Sequence, residues 1–127
     1  GFTLWQRFQV ERYLEYQGHK LVRRFDANSY LLLTKAMDLH DLGRGRGGPE
    51  AAFARMRAPV LSIGINSDIL YPPHQSREIV DVARRAGVDA VYAEMDSPHG
   101  HDSFLIESDQ LATLLHPFIA RLEATGA

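Results

Sequence analysis

Residues 97–105, Ser-Pro-His-Gly-His-Asp-Ser-Phe-Leu, concentrate titratable side chains of this 127-residue chain in one loop. The loop holds two imidazoles, His99 and His101, and the carboxylate of Asp102. A second carboxylate, Asp68, ends the turn-forming sequence Asn-Ser-Asp upstream. A carboxylate that accepts the Nδ1 proton of a histidine fixes the ring tautomer and leaves Nε2 to take a proton from a nucleophile. These residue types therefore predict acid–histidine chemistry, with Asp68 and His101 as the pair.

Two predicted parallel strands position that pair. Residues 60–65 form a nearly continuous apolar run, which is typical of a parallel strand covered on both faces, and residues 88–95 form a second strand. A helix predicted over residues 75–86 connects them, and a right-handed crossover of this kind puts both strands in one sheet. Because reactive groups collect beyond the carboxyl ends of such strands, we expect Asp68 and His101 to meet at one edge.

Helices are predicted before this core. Periodicity indicates an amphipathic helix over residues 5–17 that ends at Gly18, and a second helix over residues 29–40 with Asp26 or Asn28 as its cap. The apolar arc of the second helix is wide. We therefore expect it to be buried against another helix pair, in the same chain or in a second copy.

Glycines mark a boundary between these helices and the core. Four glycines and one proline fall within residues 43–49, which leaves the backbone too free for a regular element and predicts a linker. Its Arg-Gly steps could indicate an RNA-binding tract, but two arginines are a weak signal for one. The predicted organisation is a helical segment over residues 1–42, this linker, and an α/β core over residues 50–127 with helices flanking parallel strands.

Composition limits the function classes. The chain has 45% hydrophobic residues and a net charge of −2, which gives no reason to expect nucleic acid or an anionic membrane as a partner. It has no cysteine, which excludes disulfides and zinc–thiolate sites and agrees with a reducing, cytoplasmic location. No apolar run approaches the roughly 20 residues of a membrane span. The start at Gly1 suggests a fragment or a processed chain.

Three sequence runs together carry a family resemblance. They are residues 66–73 (Asn-Ser-Asp-Ile-Leu-Tyr-Pro-Pro), residues 97–105, and upstream residues 24–31 with 36–39 (Arg-Phe-Asp-Ala-Asn-Ser-Tyr-Leu and Ala-Met-Asp-Leu). In this order and spacing they resemble the C-terminal part of homoserine O-acetyltransferases. The resemblance implies the C-terminal part of an α/β-hydrolase fold, preceded by the last helices of a lid that also forms the homodimer contact.

The resemblance also implies an activity and a role for individual residues. Members of this family move an acetyl group from acetyl-CoA to the hydroxyl of L-homoserine in methionine biosynthesis, through an acyl-serine intermediate. Asp68 then corresponds to the triad acid, His101 to the general base and acid, and Asp102 to the residue that holds the amino group of homoserine. Acetyl-CoA is a co-substrate, and no cofactor or metal is implied.

The nucleophile elbow expected in this family does not occur in the sequence. A Gly-x-Ser-x-Gly motif lets a serine occupy the strained turn between a strand and a helix. No serine here has both flanking glycines: Ser29, Ser62, Ser67, Ser76, Ser97, Ser103 and Ser108. The oxyanion-hole donors, expected near an earlier strand, are missing too. We therefore expect this chain alone to be inactive.

Other interpretations of the same residues stay open. His99, His101 and Asp102 could be three ligands of a metal ion, and Asp68 could be a turn residue only. Homoserine succinylation, serine acetylation and ester hydrolysis on the same fold also stay open. The choice of acyl donor depends on pocket residues near the nucleophile, which this chain lacks. A non-catalytic α/β interaction module, with structural roles for Asp68 and His101, is the alternative from a different class.

Overall fold

The computed structural model describes residues 7–125 and divides the chain into two compact units. The first unit runs to Asp41 and the second begins at Leu42. Among the helices of residues 7–125, none combines the length and the apolar content that a membrane span needs. Each unit is described by itself below.

The first unit contains two helices, α1 (Gln9–Arg24) and α2 (Ala27–Asp38). The predicted start of the first helix at residue 5 lies outside the described residues. Asp26 caps α2, because its side chain accepts a hydrogen bond from the backbone N–H of Ser29 at 2.9 Å. This bond satisfies one of the amides that the start of a helix leaves unpaired. Of the two predicted caps, Asp26 is confirmed and Asn28 is wrong.

The prediction that Gly18 ends the first helix is wrong. Helix α1 continues past this residue to Arg24. A glycine inside a helix costs only about 1 kcal/mol relative to alanine, so one glycine does not end a helix that the following residues favour. Arg23 and Arg24 place positive charge in the last turn of α1, where the helix dipole stabilises it.

The apolar side chains of the first unit remain exposed. Neither α1 nor α2 has a buried residue within the described part of the chain. Large exposed side chains include Tyr13, Leu14, Leu31, Leu33 and Met37. The burial predicted for the wide apolar arc of α2 is therefore not provided by α1.

The second unit is a parallel two-stranded sheet with helices around it. Its elements are α3 (Pro49–Phe53), β1 (Val60–Ile65), α4 (Pro73–Arg85), β2 (Ala90–Met95), α5 (Ser103–Ile106) and α6 (Ser108–Thr125). Strands β1 and β2 pair in parallel, with Val60 opposite Ala90 and Ile65 opposite Met95. The pairing of two strands joined through α4 confirms the predicted α/β arrangement.

The core of this unit lies where α4 packs on the sheet. Val80 and Ala83 of α4 form a buried cluster with Phe53 of α3 and Ala90 of β2. Burying a side chain such as valine stabilises a fold by about 1.5–3 kcal/mol. This packing holds α4 against both strands and thereby fixes where the loops after the strands emerge.

Gly64 allows the start of α4 to approach β1 closely. A Cβ atom at this position would lie 2.6 Å from the hydroxyl oxygen of Tyr92 and 3.2 Å from Cα of Pro73. The Tyr92 hydroxyl donates to Glu94, which also pairs with Arg77 of α4. The Arg77 guanidinium lies 4.9 Å from the centre of the Tyr92 ring. A larger residue at Gly64 would therefore collide with the Tyr92 side chain and with the start of α4.

Candidate active site

Asp68 follows β1, and only 4% of its side chain is exposed. Its Oδ1 accepts hydrogen bonds from the backbone N–H groups of Leu70 and Tyr71, at 2.8 and 3.0 Å. These two bonds form the turn that leads towards α4 and occupy one carboxylate oxygen. The other oxygen, Oδ2, faces the loop after β2.

His101 lies in that loop, in a 3-10 turn over Gly100–Asp102. Its Nδ1 is 2.8 Å from Oδ2 of Asp68, so the two side chains meet at one edge of the sheet. In a neutral imidazole the nitrogen that faces a carboxylate is the one that carries the proton, which leaves the lone pair on Nε2. No group among residues 7–125 hydrogen-bonds to Nε2, and 41% of the side chain is exposed. Nε2 can therefore accept a proton from an incoming hydroxyl.

The surroundings of Asp68 keep its carboxyl group ionised. Burial raises the pKa of this group, but the Tyr71 N–H, the His101 imidazole and the Leu70 N–H stabilise the carboxylate and outweigh burial. The pKa of Asp68 is therefore lowered from its ordinary value of 3.8. At neutral pH the carboxylate both orients the imidazole and stabilises the imidazolium that forms when Nε2 takes a proton.

Two aromatic rings contact the imidazole of His101. The Tyr71 ring centroid lies 4.9 Å away with a tilt of 51°, and the Phe104 centroid lies 5.8 Å away with its ring at 72°. Neither ring is among the site residues that the sequence predicts. The signal that could identify them is spacing, because each follows a member of the Asp68–His101 pair by three residues.

The Asp68–His101 pair opens into an apolar cleft of about 480 Å³. The other residues of its lining are Leu61, Ile63, Ile65, Tyr71, Ser76, Ile79, Met95, Phe104 and Leu111. An apolar lining lowers the local dielectric constant and strengthens the interaction between a carboxylate and an imidazolium. The cleft is therefore a suitable place for proton transfer to Nε2.

His99 and Asp102 lie outside this pair. Asp102 is exposed, and its side chain caps no amide of α5. Nε2 of His99 is 3.8 Å from Oε1 of Glu107. Within the described range, no three histidine, cysteine, aspartate or glutamate side chains come together as ligands for a metal ion. The structure thus does not group His99, His101 and Asp102 into one metal site.

The chain is similar in sequence to homoserine O-acetyltransferases. It is 55% identical over 121 residues to the enzyme of Moorella thermoacetica and 56% identical over 124 residues to that of Symbiobacterium thermophilum. These matches cover 95% and 98% of this chain but 32% of each relative. The chain therefore spans about a third of the length of the curated relatives it matches. No protein-family model matches the chain.

Solved structures share the fold. A homoserine O-acetyltransferase from Bacillus anthracis superposes with a TM-score of 0.71 at 26% identity, covering 88% of this chain and 31% of that protein. Esterase E22 superposes with a TM-score of 0.70 at 21% identity, covering 87% and 30%. The chain therefore has part of an α/β-hydrolase fold, as the sequence predicts.

Proposed function

Because the chain matches homoserine O-acetyltransferases over about a third of their length, we propose that it supplies the acid and the histidine of a serine–histidine–aspartate triad. The reaction moves an acetyl group from acetyl-CoA to the hydroxyl of L-homoserine, as a cytoplasmic step of methionine biosynthesis. The observation that carries this proposal is the 2.8 Å contact between Nδ1 of His101 and Oδ2 of Asp68.

The serine nucleophile of this reaction comes from a part of the protein outside the present chain. No serine of residues 7–125 donates a hydrogen bond to Nε2 of His101. The serine hydroxyls of the two loops donate elsewhere: Ser67 to the carbonyl of Ser97, Ser103 to that of Gly100, and Ser97 to the carboxylate of Glu107. The incoming serine occupies the apolar cleft, where its hydroxyl reaches Nε2.

His101 acts first as a base and then as an acid in the acylation step. Nε2 takes the proton of the serine hydroxyl while the serine oxygen attacks the thioester carbonyl of acetyl-CoA. The carbon–sulfur bond then breaks, and the departing coenzyme A sulfur takes the proton from Nε2. Asp68 stays ionised throughout and stabilises the imidazolium.

Deacylation repeats this order of roles, with L-homoserine as the nucleophile and the serine oxygen as the leaving group. Its hydroxyl gives a proton to Nε2 and attacks the carbonyl of the acyl-serine. The bond from this carbonyl to the serine oxygen breaks, and the serine oxygen regains a proton from Nε2. The acetyl group has then passed from sulfur to the homoserine oxygen, and the triad has returned to its starting state.

The resemblance to homoserine O-acetyltransferases assigns Asp102 to the amino group of L-homoserine, and its exposed carboxylate in the same turn as His101 supports this assignment. Asp102→Asn keeps the size of the side chain and removes its charge. A hydrogen bond to a charged group contributes about 1.5–3 kcal/mol, so the homoserine KM should rise roughly 10- to 100-fold. Steady-state kinetics of coenzyme A release, with homoserine varied, measures this change.

Acylation by acetyl-CoA should stay intact in Asp102→Asn. A rapid burst of coenzyme A in the absence of homoserine reports this step. Loss of the burst would remove Asp102 from substrate binding and place it in the acylation step. Asp109→Asn, an exposed substitution in the first turn of α6, is the matched control and should change neither quantity.

The proposal includes a homodimer, in which the first unit forms the contact with a second copy of the chain. Helices α1 and α2 border an apolar pocket of about 330 Å³ lined by Leu21, Val22, Phe25, Asp26, Ala27, Tyr30 and Leu31. A large contiguous patch of exposed apolar surface marks a site where a protein binds a partner. The open pocket and the exposed side chains of α2 support a homodimer that covers both.

Leu31→Glu should convert this homodimer to monomers, because it places a charge in the apolar contact. Leu31 is 66% exposed within the chain, so the substitution should leave the monomer fold intact. Sedimentation velocity on the complete gene product measures the oligomeric state, with Gln17→Glu, an exposed polar position of α1, as the control. A Leu31→Glu variant that stays dimeric would exclude this surface as the dimer contact.

Acceptor and donor specificity test the proposed reaction directly in the complete gene product. Release of coenzyme A from acetyl-CoA should require L-homoserine and should be slower with L-serine or with succinyl-CoA. Equal release without homoserine would indicate hydrolysis on the same fold. Absence of turnover with each donor would favour the non-catalytic interaction module.

A further inference from the structure

Two serine hydroxyls hold the peptide groups of Gly100, the residue directly before His101. The N–H of Gly100 donates to Oγ of Ser67 at 2.9 Å, and its carbonyl accepts from Oγ of Ser103 at 2.6 Å. Gly100 has a φ of +64°, a conformation that residues with side chains rarely adopt. Both polar backbone groups of Gly100, in the turn that carries His101, are thus hydrogen-bonded to side chains.

Ser67 also bonds the start of the same loop. Its hydroxyl donates to the carbonyl of Ser97 while it accepts from Gly100. Asn66 adds a third bond, in which its Oδ1 accepts from the N–H of Ser97 at 3.0 Å. Because Asn66 and Ser67 directly precede Asp68, these bonds join the two loops immediately beside the acid–histidine pair.

We propose that Ser67 is a positioning residue, which sets the placement of His101 against Asp68 through the Gly100 N–H. Its hydroxyl bonds to backbone groups on the other loop and contributes no atom to the proton transfer. The Asp68–His101 bond alone leaves the ring free to move with its loop. A shift of about 1 Å in a catalytic group can cost roughly 100-fold in rate.

Ser67→Ala removes both bonds of this hydroxyl. The direct readout is the proton NMR signal of His101 Nδ1–H in the complete gene product. In the unmodified chain this proton should be protected from exchange with water by its bond to Asp68, and in Ser67→Ala its exchange should be faster. Thr113→Ala deletes a hydroxyl that bonds only within α6 and should leave the signal unchanged.

The effect on turnover rests on the proposed function and is measured in the complete gene product. Ser67→Ala should lower kcat by about 10- to 100-fold with little change in the homoserine KM, because the residue touches no substrate. Wild-type kcat in Ser67→Ala, together with wild-type exchange of the His101 proton, would overturn the positioning role.

Failure of this inference is separable from failure of the proposed function. Absence of acetyl transfer by the unmodified gene product would refute the function and would leave the exchange of the His101 proton as the test of Ser67. If circular dichroism shows that Ser67→Ala does not fold, hydrogen exchange of the Gly100 amide in the unmodified chain decides. Slow exchange of the Gly100 amide supports its bond to Ser67. Exchange at the rate of an unstructured peptide would overturn the positioning role of Ser67.

Discussion

Replacement of His101 by alanine should lower acetyl-CoA turnover by the complete gene product by about 10⁴- to 10⁶-fold. The reason is that in the proposed reaction Nε2 carries the proton in both half-reactions, so neither acylation nor deacylation has a base without it. Nε2 is exposed to the cleft and Nδ1 is bound to Asp68, which makes this ring suited to accept a proton. Steady-state release of coenzyme A measures the loss, and the burst phase shows whether acylation itself has stopped.

His116→Ala is the matched control for this variant. His116 is exposed on α6, outside the lining of the cleft, so turnover should stay at the wild-type level. Thermal unfolding of both variants shows whether the fold is kept. Near-normal turnover in folded His101→Ala would refute the role assigned to this histidine and, with it, the proposed triad.

Asp68→Asn should lower kcat by about 10⁴-fold while the loop keeps its shape. The amide oxygen of the asparagine can still accept hydrogen bonds from the N–H groups of Leu70 and Tyr71, as Oδ1 of Asp68 does in the wild type. The amide nitrogen then faces Nδ1 of His101 as a donor. Nδ1 becomes the acceptor and the ring proton moves to Nε2, so Nε2 can no longer act as a base.

The tautomer of His101 checks this explanation independently of turnover. Nitrogen-15 NMR distinguishes a protonated Nδ1 from a protonated Nε2. The wild type should show the form protonated at Nδ1, and Asp68→Asn the form protonated at Nε2. A variant that loses turnover with Nδ1 still protonated would show that Asp68 acts through something other than the tautomer.

The same substitution tests the lowered pKa of Asp68. Because its pKa is lower in the folded chain than in the unfolded chain, the carboxylate stabilises the fold above its ordinary pKa of 3.8. This contribution is lost as the pH falls through the folded-state pKa. The difference in free energy of unfolding between wild type and Asp68→Asn should therefore shrink below the ordinary pKa in urea titrations. A difference that grows on acidification would contradict the direction of the pKa shift.

Asp68 shows that the turn interpretation and the acid interpretation are compatible. One oxygen of the carboxylate accepts the two turn amides, and the other faces His101. A short turn residue such as asparagine could complete the first task but not the second. The buried carboxylate is stabilised by three donors, which explains how a charge is retained where only 4% of the side chain is exposed.

Local sequence signals predicted the α/β unit well and the first helix less well. The apolar run over residues 60–65 coincides with β1, and a continuous apolar run is typical of a parallel strand. Within this chain only Gly64 and Ile65 of β1 are buried, because one face of the strand lines the open cleft. Gly18 misled the prediction of α1, since one weak helix former has a smaller effect than the cooperativity of the residues around it.

The sequence by itself determined the strands, their connection through α4, and therefore that Asp68 and His101 emerge at the same edge of one sheet. Only the tertiary structure decided which groups each oxygen of the Asp68 carboxylate binds. It also decided which side chains surround His101: the Ser67 hydroxyl bonds to the preceding Gly100, and the rings of Tyr71 and Phe104 contact the imidazole. The physical reason is that periodicity reflects which face of an element is buried. Contacts between residues far apart in the chain depend instead on strand register and on the exact path of each turn.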